Sequence, residues 1–188
     1  MKRWIMIAMA APVALFTASC ADISAYRYQN VYTMTAPKPS SDRSFMDDAM
    51  EINFWIDEKK IHFEVRNLTD KPLVFDWGRA VFVNVDGVKH SLADNKSLFS
   101  SRGQDPTPTT VEPGKTMISF MAPVKNVEKL EEWTWYVYPL FNLKDEEAYD
   151  NKGKTLGVDL PVKVKDEWRA YAFRFQVTHV APAVQMLR

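Results

Sequence analysis

The stretch MEINFWIDEKKIHFEVRN, residues 50–67, decides the fold. Ile52, Phe54 and Ile56 alternate with Glu51, Asn53, Trp55 and Asp57, and beyond Asp57-Glu58-Lys59-Lys60 the alternation resumes as Ile61, Phe63 and Val65 against His62, Glu64 and Arg66. Period two is the mark of a half-buried strand, because successive strand side chains point to opposite faces. With the four charged residues as the loop, Ile56 meets Ile61, Phe54 meets Phe63 and Ile52 meets Val65, all on one face. The other face sets Trp55 on His62, Asn53 on Glu64 and Glu51 on Arg66. A slip of one residue would turn every apolar side chain outwards, so the pattern specifies the register together with the hairpin.

The same signals recur downstream. Asn67-Leu68-Thr69-Asp70-Lys71-Pro72 reads as a turn, followed by a strand at Leu73 to Trp77, and Gly78-Arg79 leads into another at Ala80 to Val85. Asp86-Gly87 is a hairpin signal and predicts Val85 on Val88, Val83 on His90 and Val81 on Leu92. Glu112-Pro113-Gly114-Lys115 suits a type II turn before a strand at Thr116 to Met121. Val124 to Glu132 reads as a short helix, and Trp133 to Tyr138 as a strand with apolar or aromatic residues on both faces. Strands at Leu156 to Val164 and Trp168 to Val180 complete the set, the last with Tyr171, Phe173, Phe175 and Val177 on one face. Ala93 to Thr110 and Asn142 to Lys154 read as long loops, where function concentrates on such scaffolds. About eight short strands with almost no helical periodicity predict an all-β fold, an antiparallel β-sandwich over residues 50–188.

The chain has 188 residues and is 46% hydrophobic, enough for one domain with a real core and too apolar for a disordered chain. Lys plus Arg equals Asp plus Glu at 24 each, so no basic field is present to hold a phosphate backbone, and no nucleic-acid partner is expected.

Lys2 and Arg3 precede an apolar stretch from Trp4 to Phe16, then the small residues Thr17, Ala18 and Ser19 and the only cysteine, Cys20. Residues 1–19 read as a secretory signal peptide, with an apolar stretch shorter than the roughly 20 residues of a membrane-spanning helix. The segment resembles the lipobox of bacterial lipoproteins, with Thr17 where that family usually has Leu, and Leu15 and Phe16 just upstream. The resemblance implies an acylated Cys20 anchored in the lipid bilayer, with no thiol left for a disulfide. Ala21, rather than Asp, after the cysteine implies the outer membrane over the inner one. Residues 20–49, with APKPSSD at 36–42, read as the lipidated cysteine and a flexible tether of about 30 residues, reaching ~30 Å, in which Tyr26 to Met34 has the makings of an edge strand.

The run VRNLTDKPLVF, residues 65–75, resembles the strand, Asn-containing turn and strand of many bacterial immunoglobulin-like domains. The order of segments over roughly Met50 to Val180 is similar to bacterial envelope lipoproteins that carry one such domain, and this resemblance brings no site residues with it.

Catalytic and cofactor chemistry finds little support. His62, His90 and His179 are far apart in sequence, and zinc wants closely held Cys or His groups, so no metal or other cofactor is expected. No Gly-x-Ser-x-Gly elbow or phosphate-cradling glycine loop occurs. Asp145-Glu146-Glu147 with Asp150 offers oxygen ligands to a hydrated Ca²⁺ without the spacing of an EF-hand loop, and a solvated acidic face is the plainer reading. The feature that remains is aromatic. Trp133 and Trp135 share one strand face and Tyr136 and Tyr138 the other, so either both faces are covered, as in a central strand, or an exposed row is free to bind. Trp55 beside His62 is a second candidate, or a cross-strand packing pair. The expectation is a membrane-anchored, non-catalytic binding or envelope-assembly module with an envelope protein partner. The alternative is a glycan-binding or carbohydrate-active domain using Trp133, Trp135 and Tyr138, which requires those rings to be exposed and coplanar.

Overall fold

The computed structural model describes residues 26–99, 106–131 and 134–183. The described strands are β1 (Tyr28–Ala36), β2 (Ser44–Met46), β3 (Met50–Ile56), β4 (Ile61–Asn67), β5 (Leu73–Phe75), β6 (Val81–Val83) and β7 (Lys89–Asp94), then β8 (Thr109–Val111), β9 (Thr116–Pro123), β10 (Val127–Glu131), β11 (Thr134–Val137), β12 (Thr155–Val164) and β13 (Glu167–Pro182). A one-turn helix, α1 (Asn95–Leu98), follows β7, and 3₁₀ turns occupy Val124–Asn126 and Glu146–Asn151. All the described pairings are antiparallel.

One sheet runs β2-β3-β4-β9-β7. The other runs β1-β13-β12-β6, with β5 beside the far end of β12 and β8 beside β5. β7 pairs with β9 and also with β6, so the sheets join at that corner, and β10 and β11 form a separate ribbon. Between the sheets lies one apolar core. Ile52, Phe54, Ile61, Phe63 and Val65 face Leu156, Val158, Leu160, Phe173 and Phe175, and Phe54 sits 4.8 Å and 5.1 Å from the rings of Phe173 and Phe175. The β3–β4 register is the one the alternation predicts, pair for pair from Ile52–Val65 to Ile56–Ile61.

Side chains tie the strand ends. Buried Asn67 donates to the carbonyls of Lys71 and Val111, 2.8 Å each, and accepts from the Thr69 amide and hydroxyl, joining β4 to the entry of β5 and to β8. Trp77, buried between β5 and β6, donates to the Thr109 hydroxyl, which donates to Asp94; the other Asp94 oxygen caps α1 by accepting from the Ser97 amide. Arg43 closes the opposite side. Held at φ 61°, it donates through Nη1 to the Tyr32 carbonyl in β1 at 2.9 Å and through Nε to the Phe54 carbonyl in β3 at 3.1 Å, and so bridges the two sheets.

Several expectations are corrected. The flexible tether expected over residues 20–49 is structured from Tyr26 onwards: the edge strand foreseen at Tyr26 to Met34 is β1, which pairs along β13 and buries Tyr32 and Met34, and the stretch after it adds β2, paired with β3. The helix expected at Val124 to Glu132 is a single 3₁₀ turn followed by β10, because the β11 ladder satisfies this segment's backbone groups better than one short helix can. The β6–β7 hairpin is shifted by one residue: Val83 pairs with Lys89 and Phe82 with His90. Asn84 takes over the turn, its Oδ1 accepting from the Asp86 and Val88 amides while Gly87 adopts φ 76°, which makes a three-residue loop of the expected two-residue one. The described part of the strand expected at Trp133 to Tyr138, β11, is not a central strand: it lies outside both sheets, and among the described residues it pairs with β10.

Removing the Arg43 fork leaves carbonyls on two strands short of a donor. Arg43→Ala is expected to lower stability by about 2 kcal/mol, seen as a lower urea midpoint at unchanged slope, with Arg43→Lys restoring only part because one ammonium does not span both strands. Alkali gives a second check. Burial pushes the Tyr171 hydroxyl up to about 12, helped by its 2.8 Å hydrogen bond to Asp47, and burial likewise pushes Tyr26 up to about 12. Because the unfolded chain loses these protons first, stability is expected to fall as pH rises from about 10 to about 12, measurable as a falling melting temperature over that window.

Candidate binding surface

Ile52, Phe54, Ile61, Phe63, Val65 and Met121 of β3, β4 and β9 face the core, so the residues between them form a grid on the outer face of that sheet. Three rows cross the strands: Trp55, His62 and Phe120; Asn53, Glu64 and Ile118; Glu51, Arg66 and Thr116. The first row is aromatic, the last is polar, and the middle one mixes the two. β2 extends the grid with exposed Met46 beside Glu51.

The aromatic row continues beyond the sheet. Trp55 stacks on His62 with ring centroids 5.3 Å apart and planes 9° apart, and His62 lies 5.7 Å from Phe120. Phe120 meets Phe99 at 6.3 Å, and Phe99 meets Trp135 at 6.1 Å, both edge to face. Five rings from five segments thus form one strip, over which the ammonium of Lys60 stands 4.2 Å from Phe120 and that of Lys129 stands 5.7 Å from Trp135. Trp55 is 40% exposed and Phe99 37%, and Ile118 beside them is 68% exposed.

A small second core positions the strip. Ala93 and Ala122 on the outer side of β7 and β9 are small enough for Leu98 of α1 and Val137 of β11 to pack on them, with Phe120 and Val127 at the margin. The α1 cap from Asp94 then delivers Phe99, and Val137 seats the ribbon that carries Trp135. Asp57 holds the other end. Its Oδ1 accepts from the amides of Lys59 and Lys60 at 2.7 Å and 2.6 Å, and its Oδ2 lies 2.7 Å from His62 Nε2, so one carboxylate shapes the hairpin loop and orients the stacked ring.

Below the strip, Glu51, Asn53, Glu64, Arg66, Gly114 and Thr116 line a shallow cleft of about 410 Å³. The surface therefore offers flat apolar rings next to amide, carboxylate and guanidinium groups. That set suits a partner with an apolar face and a hydrogen-bonding edge.

The ribbon's other face carries a separate cluster. Tyr136 and Tyr138 meet edge to face at 4.8 Å, the Tyr138 hydroxyl donates to Glu128, and the Lys59 ammonium lies 4.8 Å from the Tyr136 ring and 5.8 Å from Tyr26. The Glu128 carboxylate raises the Tyr138 hydroxyl above its usual range.

Of the residues singled out from sequence, Trp55, His62 and Trp135 come together in one strip. Tyr138 lies on the opposite face of the ribbon, so the coplanar platform of Trp135 and Tyr138 does not form. Cys20 and Trp133 lie outside the described residues. Phe99, Phe120, Lys60 and Lys129 were not singled out, because they come from segments whose contact depends on tertiary packing. The acidic loop is a capped turn: Asp145 accepts from the Glu147 amide and the Asn142 side chain, and among the described residues no three His, Cys, Asp or Glu side chains converge.

Asp57→Ala removes both functions of that carboxylate and is expected to cost about 1–2 kcal/mol in thermal denaturation and to shift the His62 ring resonances. Asp57→Asn keeps an acceptor for the two loop amides and should retain most of that stability; equal losses in both variants would assign the effect to the His62 contact instead. Comparison of the chain with protein-family models, with curated proteins and with solved structures found no match.

Proposed function

We propose that this chain is a lipid-anchored protein of the bacterial cell envelope that acts by binding another envelope component rather than by catalysis. In this reading residues 1–19 are removed, Cys20 is acylated, and the outer membrane is the anchoring bilayer. Among the described residues no helix is long and apolar enough to cross a membrane. The proposed attachment is the acyl chain on Cys20.

The sandwich is proposed to be immunoglobulin-like. Strand order supports this: β3, β4, β9 and β7 in one sheet and β6, β12 and β13 in the other follow the A-B-E-D and C-F-G order of that fold. Trp77, 2% exposed beside the C-equivalent strand and packed against Phe63 and Phe75, is further support.

The observation that carries the binding role is the strip from Trp55 to Trp135. Large rings left at an exposed sheet face, flanked by cations and a polar cleft, are the composition of a recognition surface, where aromatic residues supply most of the contact energy. The partner proposed is an envelope protein. A glycan is the second reading, favoured by one observation: Glu51, Asn53, Glu64 and Arg66 stand on the same face as the rings and offer donors and acceptors to hydroxyls.

A photo-crosslinking residue at position 118 tests both readings, with one at position 168, exposed on β13, as the control. A discrete envelope-protein adduct is expected from position 118 and not from 168, and is expected to disappear in Trp55→Ala/Phe99→Ala. A muropeptide or polysaccharide adduct with the same dependence would establish the glycan reading. Equal adducts from both positions would overturn both. Intact mass of the wild type beside Cys20→Ser checks the anchor separately, through an acyl increment that only the wild type carries.

A further inference from the structure

The described chain begins at Tyr26, whose buried ring lies against Lys59 at the end of the sandwich formed by the β3–β4 loop and the base of the β10–β11 ribbon. Its neighbours there are fixed. Arg27 and Tyr28 donate their amides to the Leu143 carbonyl, the Leu140 amide donates to the Glu58 carbonyl, and Tyr26 interacts through its hydroxyl with Tyr136. Only Ala21 to Ala25 stand between Cys20 and this point. Six residue steps span at most about 20 Å. β13, with 16 residues, rises about 50 Å along the sandwich. A chain that short brings the Tyr26 end, and not the opposite end, to any bilayer that holds Cys20.

The surface at that end has the chemistry for it. Tyr136 and Tyr138 are 37% and 44% exposed, and Lys59 stands over the first. Tyrosine is enriched at the membrane–water interface, where the ring sits at headgroup depth and the hydroxyl stays in water. A lysine stem lies along apolar surface while its ammonium reaches the phosphate layer. Net charge is not the attraction, because Lys59, Lys60 and Lys129 are offset by Asp57, Glu58 and Glu128 in the same region.

We propose that this end of the sandwich, through Tyr136, Tyr138 and Lys59, seats on the lipid headgroups and holds the domain upright, with the aromatic strip of β3, β4 and β9 turned sideways along the membrane. The proposal rests on the lipid-anchor reading. The occupant is the lipid surface itself. Weak seating suffices, since the anchor keeps the surface at high effective concentration.

The test uses the full acylated chain in protein-free phosphatidylcholine vesicles, its acyl increment verified by intact mass. Acylation consumes the Cys20 thiol, so an added cysteine is the only spin-label site. Glu58→Cys marks the proposed contact, and Asp70→Cys marks the opposite end, where Asp70 faces Lys165. The label at position 58 is expected to collide severalfold less with a water-soluble nickel complex than the label at position 70. High salt should leave this protection unchanged, and Tyr136→Ser/Tyr138→Ser should abolish it. Equal accessibility at both positions with the acyl mass intact would overturn the seating while leaving the anchor. Protection that appears only in native membranes would show that a protein covers this end, and would overturn it too. Absence of the acyl increment would overturn the anchor reading and this inference with it.

Discussion

Phe54 packed against Phe173 and Phe175 is the contact on which the rest of the molecule depends. It stands mid-strand in β3 and meets the last strand of the other sheet, setting the spacing between the layers. Because strand side chains alternate, sending Phe54 inwards sends Trp55 outwards, and sending Phe63 inwards does the same to His62. The exposed strip is in this sense a by-product of the core. The requirement that one face of the hairpin be dry leaves the other face free to carry rings that the main core does not enclose.

The β3–β4 hairpin and the inward face of β13 were legible in the sequence because both signals are local, an alternation confined to a few residues. What was not legible depends on partners far along the chain. An edge strand at Tyr26 to Met34 was legible, but its pairing was not, and the polar, Pro-containing stretch after it reads as linker until β2 is set beside β3. The β6–β7 register turned on whether Asn84 or the Asp-Gly pair governs the turn, both of them residues that turns favour. Of the site, the Trp55–His62 pair was legible from the hairpin alone. Its continuation through Phe120 and Phe99 to Trp135 was not, since no periodicity links residues on β9, after α1 and on β11.

The small second core explains how one face serves two purposes. Alanines at positions 93 and 122 let α1 and the β10–β11 ribbon settle on β7 and β9, which covers that part of the sheet. The remaining part stays open and inherits Phe99 and Trp135 from the covering elements. The ribbon then has two unlike faces. Trp135 looks along the sheet towards the strip, and Tyr136 and Tyr138 look to the end of the sandwich where the chain enters.

The pairing of β1 with β13 joins the earliest described strand to the latest, Tyr28 opposite Pro182. Contacts of such long sequence separation form late, since loop-closure entropy must be overcome before they return any stability. Until the last strand arrives, β1 lacks its ladder and β12 exposes an unpaired edge. A nascent chain of this protein therefore spends its synthesis as an open sheet, and protection of that edge from other open chains falls to whatever accompanies it before residue 182 is available.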